Sequence, residues 1–397
     1  MESLKTRRVQ LYFTSFFLDS VAHAFVVLVS FHARSFLGAS SRELGYLGFF
    51  WMVVYSIACF TTGRWSDRLG SLPLIRSSLG FIGLVLLPAS MLASSLTHLY
   101  LAMGLFGIAL AVFWPPLQCQ LAFLSPGRLL WPALGAFNIS WGIGSVIGTV
   151  SGGPKVYEGL GFQGALLLLM GFVACSFAST LGLGGRAVSR AESSPIDEVE
   201  GGRARLFLQL GWIANFCAGF AMGGLHIVFA DVAGKLELTS LESTAILVSK
   251  EAGRLVAFGL LRRFGAWHHS LAWLVILQTS GGAALVLGGF VRSAAVLCAF
   301  FSLLGIFSGL AYYSSILYSL NLRQDAGKRT GIHEGILAIG VVLGPLILGE
   351  TGEQFPNWSG GAVSVAGLVL LAGVILELAL HAKRCPSKDL RVPSSIP

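Results

Sequence analysis

Charge is scarce in this chain. Asp, Glu, Lys and Arg make up 12% of its 397 residues, against roughly 25% in a soluble domain. A water-facing surface cannot be built from so little, so a soluble globular fold is excluded. The six cysteines show no CxxC or metal-type spacing, which speaks against a structural zinc site or a disulfide framework. Cys59, Cys119, Cys175, Cys217 and Cys298 fall in apolar runs, where small buried hydrophobes are expected. No G-x-x-x-x-G-K-[ST] loop occurs, so nothing announces ATP hydrolysis. H-E-x-x-H and G-x-S-x-G are also missing, and the His268-His269 pair has no evident catalytic partners. An enzyme is therefore not expected, and neither is a cofactor or a metal.

Apolar residues fill the space that charge leaves. They form 54% of the chain, mean hydropathy is +0.76, and there are 50 glycines. Glycine at that level suits spanning helices that pack closely. Apolar runs long enough to cross a bilayer as helices lie near Leu11–Phe31, Leu44–Thr62, Leu74–Leu92, Leu99–Phe123, Leu130–Ser151 and Phe162–Leu183. After a polar stretch they resume near Leu206–Ala230, Leu241–Leu261, Leu271–Phe290, Ala294–Leu317, Gly331–Gly349 and Ala362–Leu380. The expected division is a six-helix bundle over 1–183, a linker over 184–205 rich in Ser, Glu, Pro and Gly, a second bundle over 206–381, and a tail over 382–397.

The net charge of +8 is not a nucleic-acid signal, because the basic residues do not cluster on one face. They sort by loop instead. Twenty of the 27 Lys and Arg fall in the terminal segments and alternate loops, and five in the opposite set. This bias predicts a multi-pass protein of the cell (inner or plasma) membrane with both termini cytoplasmic. Trp131, Trp212, Trp267 and Trp273 near inner ends, and Tyr46, Tyr100, Tyr157 and Trp358 near outer ends, are expected as interfacial anchors.

The halves repeat. Gly135, Gly144, Gly148 and Gly153 of the fifth run match Gly331, Gly340, Gly344 and Gly349 of the eleventh, each offset by 196 positions. The same offset pairs Gly63 with Gly259, Asp19 with Asn215 and Asn138 with Glu334. Parallel six-helix repeats are a transporter architecture, with sites between the halves near the midplane.

The loop after the second run reads Gly63-Arg64-Trp65-Ser66-Asp67-Arg68-Leu69-Gly70. It resembles the G-x-x-x-D-R-x-G signature of the major facilitator superfamily, in that family's position between spans two and three. The fifth run resembles the family's G-x8-G-x3-G-P-x2-G-G motif through Gly135, Gly144, Gly148, Gly152 and Gly153, with Thr149 at the proline's place. Pro345 holds that place in the eleventh run. The resemblance covers about Leu11 to Leu380. It implies an all-α membrane fold of twelve helices in two parallel six-helix repeats, and solute carriage by alternating access. It also implies a cytoplasmic gate of Gly63, Asp67, Arg68 and Gly70, with Asp67 facing the N-terminus of the eleventh helix, where an anion gains about 0.3–1 kcal/mol. Two positions depart from the pattern. Ser71-Leu72 stand where a basic pair usually follows, and the fourth run near Gly104 and Gly107 lacks the arginine of many proton-linked members.

A charge at the bilayer centre costs at least ~2.5–3.5 kcal/mol, so each one needs a reason. Asp19 lies about 12 Å deep at 1.5 Å per residue, with His23 one turn on. The pair reads either as a proton relay or as a structural tie. Lys250, Glu251 and Arg254 share one span. If Glu251 neutralises a single cation, positive charge remains for an organic anion, which Arg grips bidentately. The alternative is pairing with a facing span. Asn138, Asn215 and Tyr312 complete the candidate pathway, and Glu334 is expected at a helix N-terminus with the gate. His226 and Asp231 read as an outer gate or a solvated end. Glu350 and Glu377 read as snorkelling end groups. The expected partners are a small solute, protons and lipid, and the expected state is a monomer. A drug or sugar carrier and a non-transporting sensor remain alternatives.

Overall fold

The structure, a computed structural model, describes the backbone of residues 2–125, 129–183, 201–321 and 326–384; within these, side chains at 2–3, 60–61, 63–68, 122, 130–131, 201, 320–321 and 326–331 lie outside the description. Most of the linker and tail therefore fall outside it, as do the side chains of the expected gate at Gly63, Asp67 and Arg68. Twelve helices make up the described fold, with no strands. They are α1 (Glu2–Ser35), α2 (Ser41–Leu69), α3 (Ser71–Ser90), α4 (Leu96–Leu124), α5 (Leu130–Ser151) and α6 (Pro154–Ser179), then α7 (Gly201–Lys235), α8 (Ser240–Arg263), α9 (Leu271–Gly288), α10 (Ala294–Asn321), α11 (Ala326–Gln354) and α12 (Gly361–Arg384).

Ten of these are apolar enough along their described length to cross a membrane. The other two are α2 and α8, and α8 carries the Lys250, Glu251 and Arg254 cluster. Large apolar side chains such as Leu84, Leu101, Leu167, Ile276 and Ile375 point outward, while Asp19, Asn215, Lys250, Glu251 and His333 are buried. That inversion is what a lipid solvent selects. Gly70 joins α2 to α3 with φ at 81°, a left-handed turn that a side chain would strain.

Eight helices, α1, α2, α4, α5, α7, α8, α10 and α11, face a central space, and α3, α6, α9 and α12 lie outside them. Glycine sets the spacing. A Cβ on Gly144 or Gly148 of α5, or on Gly152 just past its end, would run into the carbonyls of Phe16, Ser20 and Ala24 of α1. The second half does the same: Gly340 and Gly344 of α11 lie on the carbonyls of Phe216 and Phe220 of α7. The backbones approach as far as atoms allow, as small-residue seams do in membranes. These contacts correct one expected pairing. The α5/α11 offset of 196 holds, but Phe16 and Ser20 correspond to Phe216 and Phe220, an offset of 200. Asp19 thus matches Gly219, one turn beyond Asn215, because the two seam registers are independent.

The end carrying the α1–α2 and α7–α8 connections is bolted shut. Asp231, expected as a gate or a solvated end, is 2% exposed. It lies 3.0 Å from Arg34 and 2.8 Å from Lys235, and accepts from Ser41 at 2.5 Å. Lys235 also donates to the Gly352 carbonyl, and Arg42 forks onto Glu350 at 2.8 and 2.9 Å. Glu350 thus sits half-buried in the last turn of α11, paired with Arg42. Glu377 does not snorkel: it is fully buried on α12, in a layer with Gln278 and Cys217, because α7 and α9 cover that face. Trp267 is likewise buried, against Tyr313 and Tyr318, rather than anchored at an interface.

The seam makes a direct prediction. Gly148→Val forces α5 off α1 and should cost about 1–3 kcal/mol or more. Gly171→Val, where nothing lies within 4 Å of the added carbon, should be neutral. Melting curves of the two purified variants check this.

Candidate functional site

The central space is a cavity of about 260 Å³. Each lining helix contributes side chains one turn apart, the spacing that puts residues on one helix face: Asp19 and His23 of α1, Trp51 and Tyr55 of α2, Trp114 and Gln118 of α4, Phe137 and Trp141 of α5. From the second half come Asn215, Met222 and His226 of α7, Lys250, Glu251 and Arg254 of α8, Ser308 and Tyr312 of α10, and Glu334, Leu337 and Val341 of α11.

One ion network organises the charges. Glu251 is 1% exposed and stands between both cations: Lys250 Nζ is 3.3 Å from its Oε1, and Arg254 binds its Oε2. The lysine stem curls back so that Glu251 touches both cations, and one carboxylate against two cations leaves the trio with one net positive charge. Lys250 also donates to the Met222 carbonyl at 3.2 Å and to His226 Nδ1 at 3.1 Å. Arg254 stacks over Trp141, 4.7 Å from the ring centre, a favourable cation–π placement.

His23 connects this network to the first half. Its Nδ1 is 3.0 Å from Asp19 Oδ2, and its Nε2 is 3.3 Å from Arg254 Nη2. A guanidinium only donates, so His23 Nε2 accepts and its proton sits on Nδ1, toward Asp19. The same logic applies at His226. An ammonium only donates, so His226 Nδ1 accepts from Lys250 and its proton is on Nε2. Both rings are neutral in this arrangement, and their centres are 5.2 Å apart.

Seven of the eight residues expected along the pathway line the cavity. Asn138 does not. It is buried behind the wall, where its Oδ1 accepts from Trp141 Nε1 at 3.1 Å and so props the ring under Arg254. Asn215 lines the cavity beside His333, its Nδ2 3.3 Å from that ring's Nδ1. Glu334, assigned with the gate at a helix N-terminus, stands in the cavity wall. Helix α11 begins at Ala326, so Glu334 is in its third turn rather than its first. Its carboxyl neighbours the Gln118 amide, which lines the same cavity. The aromatic wall of Trp51, Tyr55, Trp114, Phe137 and Trp141 went unnoticed in the sequence. The signal was there as aromatic pairs one turn apart, but in a chain this apolar such pairs read as packing or interfacial anchors.

A polytopic helical bundle around a buried, charge-lined cavity is the architecture of a membrane carrier. The Major Facilitator Superfamily model matches residues 11–322, and the chain belongs to that family. It is a multi-pass membrane transporter of small molecules and not an enzyme. No curated protein matches the sequence. Solved structures share the fold. One is a bacterial homolog of the human lysosomal transporter Spinster, in an inward-facing and occupied conformation, with 15% identity, TM-score 0.68 and 95% of each chain covered. The nucleoside transporter NupG gives 12% identity and TM-score 0.68 over 95% of this chain and 98% of that one. The human organic anion transporter MFSD10 gives 16% and 0.67 over 94% and 99%.

Removing the shared carboxylate should be severe. Glu251→Gln leaves Lys250 and Arg254 buried against each other and should cost about 3–5 kcal/mol. Thermal unfolding in detergent would register this as a large drop in melting temperature. An unchanged melting temperature would mean the network is not holding the bundle.

Proposed function

We propose that the protein is a secondary active transporter that moves a small solute by alternating access and couples it to protons at His23 and Asp19. The observation that carries this is the link from α1 to α8 through the cavity: Asp19, His23, Arg254, Glu251.

The link is proton-sensitive by its hydrogen-bond logic. With His23 neutral, Nε2 accepts from Arg254. A second proton turns Nε2 into a donor facing a cation, so the bond is lost and replaced by repulsion. The nearest acceptor is then Glu251 Oε2, now 3.9 Å away. Histidine is the side chain whose ordinary pKa makes such a change available near neutral pH. One proton thereby alters what joins the two halves, which is what a coupled carrier needs.

The two bundles, 1–183 and 206–381, rock about this cavity while the segment 184–205 joins them. Closure by Arg34, Asp231, Lys235, Arg42 and Glu350 at one end supports a state open toward the other. In the proposed orientation both termini are cytoplasmic in the plasma membrane and the bolted end is outside. At the inner end, Gly63, Asp67, Arg68 and Gly70 would latch onto the start of α11 when the halves reverse.

The test uses proteoliposomes loaded with a pH-sensitive dye and challenged with a metabolite and drug library. At least one solute should drive proton movement in the wild type, and Asp19→Asn should reduce that flux about tenfold or more. Uptake that is indifferent both to collapse of the pH gradient and to Asp19→Asn would defeat the coupling claim. An absence of any solute flux would favour a fold kept for sensing.

A further inference from the structure

The two repeats bring unlike chemistry to the cavity. Gly107 of α4 packs on the Trp51 carbonyl and the Tyr55 amide of α2, and Gly305 of α10 packs on the Lys250 carbonyl and the Arg254 amide of α8. Trp51 and Tyr55 therefore occupy the places that Lys250 and Arg254 hold in the second half. One wall is aromatic, and the other is ionic.

On the ionic wall two carboxylates balance two cations. Glu251 holds Lys250 and Arg254, and Asp19 lies 3.0 Å from His23 Nδ1, which pairs with the Asp19 backbone carbonyl and leaves Oδ2 without a hydrogen bond. Glu334 is different. It is the third carboxylate of the cavity, against two fixed cations and two histidines that the geometry leaves neutral. Its described neighbours are uncharged: the Gln118 amide and the Tyr55 and Tyr312 phenols. The His333 ring, 3.9 Å off, is occupied on its other nitrogen by Ser315 and Asn215. Glu334 Oε1 is enclosed and accepts no hydrogen bond, while the side chain as a whole is 35% exposed. That exposure opens on the cavity it lines.

We infer that Glu334 is the docking point for the charged nitrogen of an organic cation, whose apolar body lies among Tyr55, Trp114 and Tyr312. A carboxylate deep in a membrane protein calls for a counter-charge, and aromatic faces attract cations that have shed water. An anion is disfavoured twice. At this end it meets Glu334 with like charge, and at the other it must displace Glu251 from Arg254. A cavity of about 260 Å³ suits an amine with one aromatic ring. The inference rests on the transporter reading and reverses the anion preference drawn from Lys250 and Arg254 in sequence.

The probe is benzyltrimethylammonium, a permanent cation, compared with its neutral isostere neopentylbenzene and with phenylacetate. Binding to the purified full chain is measured by calorimetry and thermal shift. The cation should bind about tenfold or more tightly than either comparator, and Glu334→Gln should remove about tenfold while the unliganded variant melts near the wild type. The wild-type ranking stands by itself should that variant fail to fold. Equal or tighter binding of neopentylbenzene or phenylacetate, no binding of the cation, or cation binding untouched by Glu334→Gln overturns the inference. The proteoliposome screen separates the two claims. Flux of an anion that depends on Arg254 sinks the cation assignment and leaves the carrier standing, whereas no flux of any solute sinks the carrier.

Discussion

Glu251 carries more of this structure than any other side chain. A carboxylate that is 1% exposed inside a membrane protein is tolerable only with its charge answered. Here it is answered by two cations from its own helix, Lys250 one position back and Arg254 one turn on. The answer is local, so α8 enters the bilayer with its three ionisable groups reduced to one net positive charge. It is also incomplete, because Arg254 has hydrogen-bonding capacity left and spends one donor on His23 of the opposite half. The cluster is a structural requirement of α8 and a handle on α1 at once.

Geometry around the cluster follows from glycine. Gly305 and Gly309 let α10 lie on the α8 backbone at Lys250 and Arg254, and Gly144 and Gly148 let α5 lie on α1 beside Asp19. Close backbone contact on one face and a polar cavity on the other are two results of one packing choice. The outer helices α3, α6, α9 and α12 then shield the arrangement from lipid with apolar faces.

Much of this was legible from the chain alone. Hydropathy, loop charge and the 196-residue repeat defined twelve helices, and the Gly63–Gly70 signature pointed to the family. The charged residues of the site were legible too, because an ionisable group in an apolar run advertises itself. Three things were not. Asn138 fell behind the wall because the phase of a helix packed on a glycine-rich seam is not set by spacing alone. Glu334 was assigned to a gate because the start of α11 was placed five residues late, and five residues is more than a full turn. The aromatic wall was silent because Trp and Tyr are ordinary in a membrane helix. Electrical balance also needed coordinates: composition counts charges, and only distances say which pairs cancel.

The account turns on whether His23 truly ties the halves through Arg254. A double-mutant cycle of His23→Ala and Arg254→Ala, read by thermal unfolding at pH 8, measures that tie. A coupling of about 1–3 kcal/mol that fades on acidification to pH 5 is the predicted result, since a hydrogen bond to a charged group contributes about that much. Additivity within about 0.5 kcal/mol at both pH values would show that the two side chains do not act together, and would contradict the account.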